Sequence, residues 1–360
     1  MSKLALYYDW IDSFGGAERL LVPIFDEFPE ADIYTLFVDY KRAPWAKKYA
    51  ERIKTSFLQS WYFLIKNKSL LAPLMPFAVE SFDLSAYNKV LSITSSFGKG
   101  LITRPETEHI CYCFSPTRFL WQERSLYGSA HWLFSPILSF LREWDFIASR
   151  RVDKYLTLSS FSQNLMRKMY GVNTEVLAPP FDFQYWQKIA VQSPKQEKPY
   201  FLFVGRLEPY KRINLLIRAF NELPDKTLLI IGSGSERENL EEEANGNITF
   251  IEKVTDEELA SYYQNAQALL MPQAEEFGYT ALESVVFGCP VISFAKSGAV
   301  EFLRETKMGI FFEEQTVAAI TEKIVNFHTK SYNRGKIDWK RYEGEKFIAR
   351  VRREIGEIGR

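Results

Sequence analysis

Short apolar runs alternate with helical repeats through the second half of the chain, and that alternation leaves few folds open. YFLFVG, TLLIIG, ITFIE, ALLMP, PVISFA and GIFF are strand-length runs. KRINLLIRAFNEL, SERENLEEEA, TDEELASYYQNA and TVAAITEKIVNFH carry helical spacing between some of them. Strands alternating with helices predict a parallel sheet covered on both faces. The near-continuous apolar character of the runs fits burial on both sides.

The first half repeats the theme with interruptions. KLALYY reads as a first strand, followed by a glycine turn and a helix from about Gly16. ADIYTLFV, KVLSITS, EHICYCF, YLTLSS and TEVLAP read as further strands. A long helical insertion is expected over Tyr40 to Ser85, and a second over about Thr117 to Arg151. APPFDFQYW and the polar KIAVQSPKQEKP after it read as a joint. With 360 residues, two domains are the natural division. Residues 1–183 form the first, residues 184–331 the second, and residues 332–360 a basic C-terminal helix. The N-terminal domain is one surface on which that helix can pack.

In doubly wound α/β sheets, ligands bind at the carboxyl ends of the strands, at the switch point. Three segments stand at such ends. Gly15 and Gly16 open a helix after the first strand, where backbone N–H groups can approach a phosphate. Arg206 and Lys211 flank the turn after FLFVG, and two fixed cations at a strand end suit a diphosphate. Glu275 and Glu283 bracket the Phe277-Gly278-Tyr279 turn after ALLMP. Each has a plain structural alternative: a helix start, a solvated basic turn, or carboxylates stabilising a helix dipole.

Other chemistries find less in the sequence. The 45 Lys and Arg balance 45 Asp and Glu, so no global field selects for nucleic acid. Three cysteines argue against a disulfide framework, and Cys111 and Cys113 read as thiols on one face of a strand. None of the three histidines has metal-ligand spacing, and Asp9, Asp12 and Asp182 form no convincing Asp-x-Asp. No metal site and no bound cofactor are therefore expected. Gly232-Ser233-Gly234 lacks the third glycine of a dinucleotide turn, and no phosphate-loop or nucleophile-elbow motif occurs. No run reaches the ~18 apolar residues of a membrane span, and the N-terminal apolar run is too short for a signal peptide. The expected location is cytoplasmic.

Taken in order, these motifs resemble the GT-B glycosyltransferases, and within them the retaining group called family 4. VGRLEPYKRIN looks like the donor-diphosphate turn, PQAEEFGYTALESVVFGCPVIS like the E-x7-E segment, and AKSGAVEFL like the glycine-rich turn after it. GGAE matches the first helix start. SFLQSW, LLAPLMPFAVESFDLS and CYCFSPTRFLW look like bacterial O-antigen and surface-polysaccharide mannosyltransferases. The resemblance implies two Rossmann-like domains facing across a cleft. It implies metal-independent transfer of a hexose from a nucleotide sugar, GDP-mannose foremost, to a glycan or lipid-linked acceptor.

On that resemblance, Glu275 holds hydroxyls of the donor sugar, and the N–H groups of Phe277, Gly278 and Tyr279 cap sugar and phosphate oxygens. Glu283 takes the ribose hydroxyls, Arg206 and Lys211 neutralise the diphosphate, and Lys253 and Val254 lie beside the base. Gly15 and Gly16 close over the donor. The pattern breaks at Phe114, where the subgroup has histidine. Phenylalanine offers neither hydrogen bond nor charge. A non-catalytic nucleotide-sugar binder and another GT-B enzyme, an epimerase or phosphorylase, stand as alternatives. Residues 43–76 mix Lys and Arg with Trp, Tyr and Leu, and so suggest either peripheral contact with an anionic membrane or an amphipathic insertion packed on the domain.

Overall fold

In the computed structural model, residues 3–65, 67–122, 131–189, 199–328 and 338–356 are described. The chain divides into two compact units, one of Met1–Pro180 with Arg341–Arg360 and the other of Phe181–Lys340.

The first unit is built on seven strands: β1 (Leu4–Tyr8), β2 (Asp32–Thr35), β3 (Ile53–Thr55), β4 (Lys89–Thr94), β5 (Glu108–Cys113), β6 (Lys154–Thr157) and β7 (Glu175–Val176). They pair in the order β3-β2-β1-β4-β5-β6-β7, parallel throughout. The second unit has six: β8 (Tyr200–Val204), β9 (Thr227–Ile231), β10 (Ile248–Ile251), β11 (Leu269–Met271), β12 (Val291–Phe294) and β13 (Gly309–Phe312). Their order is β10-β9-β8-β11-β12-β13, again parallel. Each sheet reverses its direction of growth once, between β1 and β4 and between β8 and β11.

Three features differ from the sequence reading. The insertion over Tyr40 to Ser85 is not all helix, because it carries β3 as an edge strand. IKT is too short to show alternation, and Lys54 and Thr55 are exposed. The break between units precedes residue 184, which lies inside the helix Phe183–Lys188. Phe181 and Phe183 stack on Trp339, with ring centroids 5.8 and 4.1 Å apart, and this draws the segment into the second unit. The tail likewise splits, with Trp339 in the second unit and Arg341 onward in the first. Most of the polar joint (190–198) and the start of the tail (331–337) lie outside the described residues.

The helix Gly344–Ile355 buries Phe347, Val351 and Ile355, one stripe at four-residue spacing. Phe347 meets Tyr112 edge-on at 6.0 Å, Lys154 binds Glu354 at 2.5 Å and Glu175 at 2.9 Å, and Arg352 pairs with Glu27. Deeper in the first unit, Lys99 and Asp145 form a fully buried ion pair at 2.7 Å. Asp145 also accepts bonds from Thr117 Oγ1, Trp121 Nε1 and Tyr170 OH. Burial alone would discharge Lys99, but the adjacent Asp145 carboxylate reverses that and raises its pKa.

His109, buried in β5, shares a hydrogen bond with Ser92 Oγ at 2.8 Å through Nε2, while Nδ1 has no partner among the described residues. Burial pushes its pKa from 6.5 down to about 4. The unfolded chain therefore binds the proton first as pH falls. Stability from this residue is complete above pH 6.5 and is lost progressively towards pH 4, by about 3 kcal/mol. Urea unfolding across that range should show a shallower loss in His109→Gln than in the wild type, by up to one proton's slope.

Candidate functional site

The second unit brings the predicted cations and carboxylate together at its switch point. Past β8, Gly205 leads to Arg206, and Pro209–Lys211 makes a short 3-10 turn. Arg212 then adopts a left-handed conformation at φ 55°, and the helix Ile213–Asn221 starts. Past β11, the chain runs through Pro272 and Gln273 to Glu275. Lys211 Nζ and Glu275 Oε2 form an ion pair across this gap. Their side chains are 12% and 21% exposed, so the pair is sheltered yet reachable.

Tyr210 organises the cations. Arg206 Nη2 donates to its hydroxyl at 2.7 Å, and Lys211 Nζ lies 5.2 Å from the ring centroid. The aromatic face offsets part of the repulsion between the two charges. Gln273 Nε2 donates to the same Glu275 oxygen at 3.1 Å. The Glu275 main-chain carbonyl accepts from Gly298 N at 2.6 Å and Ser297 Oγ at 3.3 Å, so the turn after β12 supports the turn after β11.

Gly278 lies at φ 95° just before the helix Tyr279–Val286. A Cβ there would stand 2.8 Å from the Ala299 Cβ, so both conformation and space demand glycine. Phe277 is buried and meets Tyr279 edge-on at 5.0 Å. Glu283 lies one turn into the helix at 3% exposure, and one of its oxygens accepts the hydroxyl of fully buried Tyr263 at 3.0 Å. The two glutamates of the motif thus have different surroundings. Lys253, exposed, and Val254, half-buried, follow β10 on the same edge of the sheet. They precede a capping box made by Thr255 and Glu258.

The Gly232-Ser233-Gly234 turn has a packing cause. A Cβ on Gly232 would lie 1.9 Å from the Gly205 carbonyl oxygen, and one on Gly234 would lie 2.2 Å from that of Leu207. The glycines let this turn close on the Arg206 loop, where Leu207 N donates to Ser233 O at 2.9 Å.

In the first unit the glycine turn answers to a carboxylate of its own chain. Gly15 N donates to Glu18 Oε2 at 2.8 Å, and Tyr8 OH to Glu18 Oε1 at 2.9 Å. The helix begins at Glu18, two residues beyond Gly16. At the switch point beside it, the buried Asp9 carboxylate accepts Thr94 Oγ1 and the amides of Ser95, Ser96, Phe97 and Gly98 at 2.8–3.0 Å. Burial raises the Asp9 carboxyl above its ordinary range, against the pull of those donors. Phe114, at the end of β5, is buried and stands edge-on to Tyr112 at 5.8 Å.

Sequence reasoning weighed Asp9 only as a metal ligand and set it aside, and it missed Tyr210 and Gln273. For Asp9, an acidic residue at the end of a first parallel strand was the available signal. Gln273 and Tyr210 had none beyond adjacency to the residues they support.

Residues 184–338 match the family described as glycosyl transferases group 1. Among curated proteins, the chain is 30% identical over 181 residues to an uncharacterized glycosyltransferase of Haemophilus influenzae, covering 47% of this chain and 50% of that one. It is 26% identical over 206 residues to the sulfoquinovosyl transferase SQD2 of Arabidopsis thaliana, covering 54% and 40%. With a GDP-mannose-dependent alpha-(1-6)-phosphatidylinositol monomannoside mannosyltransferase of Mycolicibacterium smegmatis, identity is 29% over 171 residues, covering 43% and 44%. The chain thus spans half or less of the length of these relatives. Among solved structures, Anabaena Alr3699/HepE, in complex with UDP and glucose, superposes with a TM-score of 0.66 at 15% identity, covering 98% of this chain and 99% of that one. WaaG, a glycosyltransferase involved in lipopolysaccharide biosynthesis, gives 0.60 at 16%, covering 98% and 96%. The fold is GT-B.

Gly278 and Gly288 both have positive φ, but a Cβ on Gly288 meets nothing within 4 Å. Gly288→Ala should cost about 1 kcal/mol, the backbone term alone. Gly278→Ala should cost about 1–3 kcal/mol more, for the clash with Ala299. Paired urea denaturation curves check the difference.

Proposed function

We propose that this chain is a retaining hexosyltransferase that uses a nucleotide sugar, GDP-mannose being the first donor to test, and a glycan or lipid-linked acceptor in surface-polysaccharide synthesis. The observation that carries the reading is the Lys211–Glu275 pair beside Arg206, at the switch point of the second sheet. The match over residues 184–338 supports it, as does the GDP-mannose-dependent relative. Donor identity is a separate matter, since the similar proteins carry names with GDP-mannose, sulfoquinovose and UDP-glucose chemistry.

The residues divide the work. Arg206 commits one N–H to the Tyr210 hydroxyl and, with five donors on its guanidinium, keeps others for a diphosphate. Lys211 turns from Glu275 to the same diphosphate, and Glu275, released from the cation, accepts hydroxyls of the sugar. Negative charge grows on the departing diphosphate as the glycosidic bond breaks, and two preorganised cations stabilise that change more than the ground state. The amides of the Phe277–Tyr279 turn add donors at a helix start. The diphosphate oxygen takes the acceptor's proton as attack proceeds on the same face. Glu283 reaches a ribose only by sharing its carboxylate with Tyr263. Lys253 and Val254 are assigned to the base by their place at the end of β10.

Thermal-shift measurements against GDP-mannose, UDP-glucose and the free diphosphates test donor choice, with stabilisation by one base family expected. Lys211→Ala, Glu275→Ala and Arg206→Ala should each lower turnover by about 10²-fold or more with circular dichroism unchanged. Full activity in either Lys211→Ala or Glu275→Ala sinks the site assignment. Binding without turnover on any acceptor favours a non-catalytic binder, the reading that Phe114 motivates.

The acceptor side carries a second part of the reading. Residues 43–76 form no single amphipathic helix, but the helix Leu58–Ile65 buries Leu58 and Tyr62 and exposes Trp61 and Leu64 at 50% and 84%. Phe57, Phe63, Leu70 and Phe77 are also exposed, as are Lys47 and Lys54 in the same stretch of sequence. No helix among the described residues is long and apolar enough to cross a membrane. Contact with an anionic membrane surface from the cytoplasmic side fits this patch. Co-sedimentation with vesicles containing phosphatidylglycerol should fall in Trp61→Ser/Leu64→Ser. Equal pelleting with neutral vesicles, or none at all, removes the membrane part.

A further inference from the structure

Gln273 is 2% exposed, yet its two polar ends have different fates. The Nε2 end donates to Glu275 Oε2, while the Oε1 end is buried with no partner among the described residues. The assignment of the two ends follows from charge, because an amide oxygen turned to a carboxylate would meet repulsion. A lone buried acceptor is a standing cost to the fold. A methionine of similar shape would fill the same space without it. Packing therefore gives no reason for glutamine here, and the donated bond does.

The geometry of that bond points to its use. Lys211 and Gln273 act on the same oxygen of Glu275. When a diphosphate draws Lys211 away, the Gln273 amide stays on that oxygen. Gln273 is itself well anchored, because the carbonyl of neighbouring Pro272 accepts Gln315 Nε2 at 2.7 Å. The Glu275 main chain is pinned by Gly298. The carboxylate end of Glu275 is partly exposed, and an amide donor from an anchored segment restricts that end without adding charge.

We propose that Gln273 is a positioning residue for the transfer reaction: it holds the Glu275 carboxylate aimed at the sugar after Lys211 has turned to the diphosphate. The proposal rests on the hexosyltransferase reading of the site. It separates two kinds of binding at one site, because the diphosphate engages the cations, while the Gln273 amide bonds to Glu275, which the sugar engages.

The test uses full-length wild type, Gln273→Met and Gln273→Glu, with GDP and GDP-mannose, and UDP and UDP-glucose, as probes. For Gln273→Met the melting temperature should equal or exceed that of the wild type, since a lone acceptor is gone. Inhibition by the free diphosphate should not change. The KM for the nucleotide sugar should rise about tenfold or more and kcat should fall, the cost of a misaimed group. Gln273→Glu should be worse, because two carboxylates then face each other. Unchanged KM and kcat in Gln273→Met overturn the proposal. So does a lower melting temperature with diphosphate and nucleotide sugar weakened together, which is the signature of lost packing. A wild type that binds free diphosphates but shows no added interaction with any attached sugar defeats the hexosyltransferase reading itself, and this inference with it.

Discussion

A parallel sheet that reverses its growth leaves a gap at the carboxyl ends of two neighbouring strands, and the groups around that gap must be satisfied. Amides of the turn after each strand point into it, and helix starts add positive potential. Both sheets of this protein meet the requirement, and they meet it in opposite ways. In the first, the gap between β1 and β4 is closed by Asp9, whose carboxylate takes four backbone amides and the Thr94 hydroxyl. In the second, the gap between β8 and β11 is bridged by Lys211 and Glu275, two side chains that remain partly exposed.

That difference decides which sheet can exchange partners with a ligand. Asp9 is 1% exposed and bonded on both oxygens, so an incoming phosphate would have to displace a buried anion from a complete set of donors. Glu18 similarly takes the Gly15 amide and the Tyr8 hydroxyl. The Lys211–Glu275 pair costs less to open, because water and ligand can replace each partner's charge. Such a pair is also self-consistent as a resting state. Lys211 and Glu275 neutralise each other, and each stays partly exposed. The residues with exchangeable bonds thus collect in the segment that matches the glycosyltransferase family.

Much of this frame was legible because it rests on local pattern. Apolar runs of strand length, separated by helical spacing, gave the strands of the second sheet, and cations or carboxylates just past those runs gave its edge. The hidden parts depend on distance along the chain. Asp9 finds its donors at Ser95 to Gly98, and no local rule pairs them. Lys99 and Asp145 form a buried ion pair across 46 positions of sequence, and no local pattern marks either as buried. β3 was lost to the opposite problem, since three residues on an edge carry too little pattern to register. The Gly232-Ser233-Gly234 turn looked like part of a ligand motif, although carbonyl oxygens of the neighbouring loop account for its glycines.

The E-x7-E segment shows how one motif carries two physical roles. Seven residues separate its glutamates, and the helix begins between them, so Glu275 lies before the first turn and Glu283 within the second. Glu275 stands where helix potential, a lysine and an amide converge, and its main chain is fixed while its side chain is approachable. Glu283 points into the unit and ties the helix to Tyr263 on the neighbouring helix Asp256–Asn265. A carboxylate that supports the helix and one that waits outside it are both needed if the turn between them is to hold its shape. Gly278 permits that turn, Ala299 closes against it, and Tyr263 anchors the helix beyond it. Glu275 can then be partly exposed because Glu283 behind it is not.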